Sequence, residues 1–256
     1  MNSKWILLII LPLLLGCGPA SVPGSPAATP SETAAAPTLT PPPSPTPPPT
    51  ATGTPLPTDT ASPSPVPTVD RLKAQVTADP LSCRYGPGPH YLYLYALNKG
   101  ANIILIGRAD GNNWVWVDGG NHCWVNASYL EITGDPGRLP AVYPGQARLP
   151  VSPYYNPTDW VGATRQGDRV EVAWHDVPLR AGDEEDEYML HYIVEVWRCE
   201  HGELRFEPLG TNELAVEFID QPGCERPSHG RVFVQEKHGF AGPSEIPWPP
   251  YEGEQK

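Results

Sequence analysis

Apolar and polar residues alternate with period two along four stretches of the C-terminal half. In Asp168–Trp174, Val170, Val172 and Trp174 share one face, and Arg169, Glu171 and Ala173 share the other. In Tyr188–Trp197, Tyr192, Val194 and Val196 are set against His191, Ile193, Glu195 and Trp197. Leu214, Val216 and Phe218 repeat the pattern in Glu213–Ile219, and Val232 and Val234 repeat it in Arg231–Gln235. Alternation of this kind predicts strands with one apolar face, belonging to sheets packed face to face. Residues 147–256 therefore read as a β-sandwich.

Residues 69–133 are also β-rich, in shorter pieces. Tyr91–Leu97, Ile103–Ile106, Trp114–Val117 and Cys123–Leu130 are separated by the turns Asn98-Lys99-Gly100, Asp110–Asn113 and Asp118-Gly119-Gly120. Turn signals every eight to twelve residues predict a small barrel or sandwich. Residues 134–146, with Pro136, Pro140 and Pro144, read as the linker between the two units. The expected fold class is all-β throughout.

Before residue 69 the pattern vanishes. Residues 19–68 hold no aromatic residue, no lysine and no arginine, and their only charges are Glu32 and Asp59. Runs such as Pro41-Pro42-Pro43 forbid helix and sheet ladders and favour extended polyproline conformation. Such a segment cannot bury enough apolar surface to offset its ordering entropy. At ~3.1 Å per residue it reaches on the order of 150 Å when fully extended. Residues 17–68 are thus expected to form a disordered stalk.

The start of the chain has Lys4 followed by an apolar run, Trp5–Leu15, broken only by Pro12. A bilayer span needs about 20 apolar residues, so the run is too short to cross and fits a signal-peptide core. Leu14-Leu15-Gly16-Cys17 resembles the lipobox of bacterial lipoproteins. The resemblance implies a signal peptide over 1–16, cleavage before Cys17, and a lipid on that cysteine. At ~0.8 kcal/mol per buried CH₂, several acyl chains hold a protein on a membrane. The expected location is extracytoplasmic and membrane-anchored, at the cell surface or in the periplasm.

The first β-unit resembles the bacterial SH3 (SH3b) domain. The residues carrying the likeness are Val76-Thr77-Ala78, Leu81, Arg84, Gly86-Pro87-Gly88, Lys99-Gly100, Gly107, Trp114, and Trp124-Val125 with Ala127-Ser128-Tyr129-Leu130. The family implies a small SH3-like barrel and cell-wall ligands, either peptidoglycan peptide or glycan. Cys83 stands where the family has a branched aliphatic residue, and Cys123 where it has glycine. The second unit resembles a fibronectin type III domain within the wider immunoglobulin-like class. Val170–Trp174 match strand B, Tyr192–Val196 strand C, Leu214–Val216 strand E and Arg231–Val234 strand F, with Gly242-Pro243-Ser244 at the F–G turn. The tyrosine of the E–F corner is missing, and the corner reads Cys224-Glu225-Arg226-Pro227.

Charge and cysteine count narrow the function. The formal net charge is −12, which repels nucleic acid and excludes it as a partner. Of five cysteines, Cys17 is set aside for lipid, leaving Cys83, Cys123, Cys199 and Cys224. In an exported chain four cysteines read as two disulfides with three possible pairings. The pairing that follows the unit boundaries is Cys83–Cys123 with Cys199–Cys224. Loops of about 40 and about 25 residues then contribute roughly 4 and 3.5 kcal/mol.

Catalytic chemistry finds no foothold. H-E-x-x-H, G-x-S-x-G and a phosphate-cradling glycine loop are all absent from the sequence. The seven histidines lack metal-ligand spacing, and no cofactor or metal is expected. Asp183–Glu187 is acidic throughout but lacks the Asp-x-Asp-x-Asp-Gly arrangement, so it reads as a solvated loop. Aromatic residues remain. Tyr91, Tyr93 and Tyr95 alternate with leucines, and Trp114 and Trp116 share a face opposite Val115. Tyr and Trp are enriched in binding surfaces. Tyr91, Tyr93, Trp114 and Trp116 are therefore the candidate ligand residues, while Trp124 reads as barrel core. The expected function is a non-enzymatic surface lipoprotein that binds the wall through its first unit. The alternatives are docking of another exported protein and, less favoured, an enzyme with an unrecognised site in the second unit.

Overall fold

The computed structural model describes residues 68–251. The expected signal peptide, Cys17 and the stalk up to residue 67 lie outside the described residues. Among the described residues no helix is long and apolar enough to cross a membrane. The fold is all-β.

The first module has eight strands: β1 (Leu72–Val76), β2 (Leu81–Arg84), β3 (Tyr93–Leu97), β4 (Asn102–Ala109), β5 (Trp114–Asp118), β6 (Cys123–Asn126), β7 (Leu130–Thr133) and β8 (Ala141–Tyr143). They form one sheet in the order β3-β2-β6-β5-β4-β1-β7, with β8 added in parallel beside β4. Alternation along β4 and β5 sends Ile103, Leu105, Val115 and Val117 inward. They pack there with Val76, Leu81, Val125 and the Cys83–Cys123 disulfide. The expected linker 134–146 is built into this sheet. It holds a 3-10 turn at Pro136–Arg138 and then β8, whose Val142 and Tyr143 are buried.

The second module pairs a three-stranded sheet with a four-stranded one. The first contains β9 (Val161–Gln166), β10 (Arg169–Trp174) and β13 (Ala215–Ile219) in the order β13-β10-β9. The second contains β11 (Tyr192–Glu200), β12 (Glu203–Thr211), β14 (His229–Glu236) and β15 (Gly239–Glu245) in the order β12-β11-β14-β15. All pairings in both sheets are antiparallel. Val170, Val172 and Trp174 meet Tyr192, Val194, Val196, Val232 and Val234 between the sheets. This is the sandwich that the alternation predicts.

Three details differ from expectation. Gly242-Pro243 lies inside β15, where the register with β14 shifts, and the hairpin turns at Lys237-His238 instead. Proline has no N–H to give a ladder, so a bulge accommodates it. Leu214 precedes β13 and is exposed, leaving Phe218 as that strand's buried residue. β11 is buried on both faces from Tyr192 to Trp197, not on one.

Both disulfides follow the module boundaries. Cys199 and Cys224 have Cα atoms 5.8 Å apart and tie the end of β11 to the loop before β14. Replacing both by serine is expected to lower stability by about 3.5 kcal/mol, the chain-entropy value for such a loop. Urea denaturation of the oxidised parent and the double variant measures it.

Candidate functional site

The candidate aromatic residues lie on or beside the outer face of the first sheet. Cross-strand register places Tyr93, Arg84, Trp124 and Trp116 in one row across β3, β2, β6 and β5. Paired residues point to the same side of a sheet. Because Val115 and Val117 point into the core, Trp114 and Trp116 must point away from it. The row is closed to solvent at Trp124. The second module sits on its middle.

Two apolar clusters and a polar centre make this seam. In one cluster Tyr91 and Leu92 pack with Ile193, Phe233 and Phe240. In the other, Trp124, Val142 and Tyr143 pack with Trp197 and Phe206, and Trp114 and Trp116 border it. Trp124 meets Tyr143 edge-on at 5.7 Å, and Trp197 stacks on Phe206 at 4.5 Å. Glycines permit the close approach. A Cβ on Gly88 would stand 2.4 Å from Pro208 Cγ, and one on Gly111 would stand 2.7 Å from the Phe206 nitrogen. The Phe206 N–H donates to the Gly111 carbonyl at 3.1 Å, so backbone pairs with backbone across the seam.

At the polar centre Glu195 is 0% exposed. Its Oε1 accepts from the Tyr91 hydroxyl at 2.6 Å and from the Tyr143 hydroxyl. Its Oε2 accepts from Arg231 Nε at 2.6 Å. Burial, reinforced by the Glu195 charge, pushes both phenols well above their ordinary pKa. They are therefore neutral donors at any physiological pH. Burial is the largest influence on the Arg231 pKa and works to lower it, but the Glu195 charge, the Tyr143 and Tyr91 hydroxyls and the Glu195 hydrogen bond together outweigh it, and the net direction is up. Gln235 completes the centre. Its Oε1 accepts from the Leu92 N–H at 3.1 Å, and its Nε2 donates to the carbonyls of His90 and Leu190 at 3.0 and 2.7 Å. At the margin, Asp110 bonds Arg108 within its own module and Arg226 of the other. Those guanidinium groups, the Arg108 hydrogen bond foremost, hold its carboxyl below the usual range.

The structure does not bring the four candidate ligand residues into one groove. Tyr91 is 0% exposed and spent on the seam, so it is corrected from ligand residue to interface residue. Tyr93 is 43% exposed, but Arg84 and the covered Trp124 separate it from Trp116. Trp114 and Trp116 are half-buried along the rim of the seam. The Trp116 ring also lies tilted against His122, with ring centres 4.6 Å apart. Trp124 is buried, but beneath the second module and not in the first module's own core, where it was expected. The common face expected for Tyr93 and Tyr95 is broken by a register shift between Cys83 and Arg84, and Tyr95 turns toward the first core. In the acidic loop, Glu185 Oε2 accepts from the Tyr93 N–H at 3.2 Å, so the loop buttresses the first module.

No family model matches the chain, and no curated protein does. Among solved structures, the FN1–FN3 domains of chicken CNTN1 align with 12% identity and a TM-score of 0.25. The alignment covers 68% of this chain and 54% of that one, about half its length.

Proposed function

We propose that this protein is a non-enzymatic, lipid-tethered recognition head on the outer side of a membrane. In this reading Cys17 carries the lipid, and the Pro-rich stalk over 17–68 lifts the head from the bilayer. An SH3b-like module and a fibronectin type III-like module then act together as one rigid body. The observation that supports it best is the buried seam around Glu195, which leaves no free hinge between the modules. A partner then meets a composite surface of fixed shape. The lipobox and SH3b resemblances put peptidoglycan first among partners. Trp116, half-exposed beside His122, is the aromatic residue best placed to touch it.

Sedimentation of the mature protein with purified peptidoglycan tests this reading. Retention is expected, with a loss of roughly tenfold for Trp116→Ala, as for an aromatic hot spot. No retention favours the second reading, docking to another exported protein. The covering of the aromatic row by the second module speaks for that alternative. Hydrolysis of wall fragments by the purified protein would count against both.

A further inference from the structure

A cleft of about 210 Å³ opens at the rim of the seam, between the chain after β8 and strands β14 and β15. Tyr143, Phe233 and Phe240 give it aromatic walls, and Leu149 and Val151 add aliphatic ones. Two arginines line it, Arg148 and Arg231, and no Asp or Glu does. In a chain of net charge −12 that is a local reversal of sign. Glu195 balances Arg231 from behind, through Nε at 2.6 Å. Arg231 Nη2 lies 3.4 Å from the Tyr143 hydroxyl, which leaves most of its fork uncommitted. Arg148 is exposed and has no hydrogen-bond or ion-pair partner among the described residues. The unbalanced positive charge is therefore that of Arg148.

We infer that this cleft binds the C-terminal residue of a peptide, the carboxylate on Arg148 and an apolar side chain against the aromatic walls. A guanidinium presents a planar fork that matches a carboxylate with two parallel hydrogen bonds. Apolar walls beside a few placed polar groups are the usual make-up of a small-ligand site. The cleft is smaller than the ~300–1,000 Å³ of pockets that enclose a whole drug-sized ligand, so it suits one residue of a longer chain. Arg231 and Tyr143 belong to both the cleft and the Glu195 network, which fixes the walls before any ligand arrives. The inference goes beyond wall binding by Trp116, and a negative result on peptidoglycan leaves it standing.

Calorimetric titration of the full mature protein with N-acetyl-phenylalanine, and with its uncharged amide, tests the site. The acid is expected to bind saturably, and the amide at least about tenfold more weakly, since one charge-assisted hydrogen-bond pair is lost. Arg148→Gln should erase the difference between acid and amide. Val151→Glu, at a rim position 77% exposed, should repel the acid without disturbing the fold. Unchanged melting temperatures of both variants separate lost binding from lost structure. Equal binding of acid and amide overturns the inference. So does acid affinity unmoved by Arg148→Gln, or no saturation in the millimolar range.

Discussion

Glu195→Ala is expected to destabilise the whole head by about 3–5 kcal/mol, the cost of leaving one member of a buried ion pair alone. Arg231 would keep its charge with no carboxylate beside it, and two buried phenols, Tyr91 and Tyr143, would lose their acceptor. At about 2–4 °C per kcal/mol for a unit of this size, melting should fall by on the order of 10 °C. The loss is not the net worth of the network. Removing all four partners together, as Glu195→Leu, Arg231→Met, Tyr91→Phe and Tyr143→Phe, should cost far less than Glu195→Ala. Buried ion pairs replaced by apolar groups of similar volume are often neutral in stability. Thermal melts of the single and quadruple variants decide the matter. A quadruple variant as unstable as the single one would mean that the network itself stabilises the fold.

That network also explains where sequence reading stopped. Strict alternation located β10, β11, β13 and β14 because each sends aliphatic residues into one core. β9 and β12 lack that signal. Val161-Gly162-Ala163-Thr164 has small residues, and β12 is interrupted by Pro208. The face of β11 opposite Tyr192, Val194 and Val196 carries Ile193 and Trp197, and β14 adds Phe233 on the same side. Apolar residues on both faces mark a strand covered on both faces. The covering partner does not show in local periodicity, because the contacts join residues as distant in sequence as Leu92 and Gln235.

The aromatic reading shows the same boundary. Tyr91, Trp114, Trp116 and Trp124 belong to the residue types that build interfaces, and the interface they build is mostly internal. Nothing in the spacing of these residues distinguishes an external ligand from a second module of the same chain. Even 134–146, whose prolines read as a linker, contributes Val142 and Tyr143 to the seam. Two prolines bracket Ala141–Tyr143, yet three residues sufficed to add a strand beside β4.

A head joined in this way should melt as one unit. Calorimetry of the intact protein is expected to give a single transition, with calorimetric and van't Hoff enthalpies equal. Residues 69–146 produced alone should fail to reproduce the first module's share of that transition. Cutting the seam exposes Tyr91, Leu92, Trp124, Val142 and Tyr143 together on one side of a small module. Contiguous apolar patches of that kind drive self-association. The isolated module should therefore bind a hydrophobic dye and aggregate, although its own disulfide, Cys83–Cys123, still closes. Trp197→Ala in the intact head supplies the matching test from the other side. It removes a buried indole that touches Phe206 and His229, at a cost of about 3–5 kcal/mol. Because the seam is shared, that loss should lower the melting of both modules by the same amount. Two separate transitions, with only the second displaced, would show the modules to be thermodynamically independent.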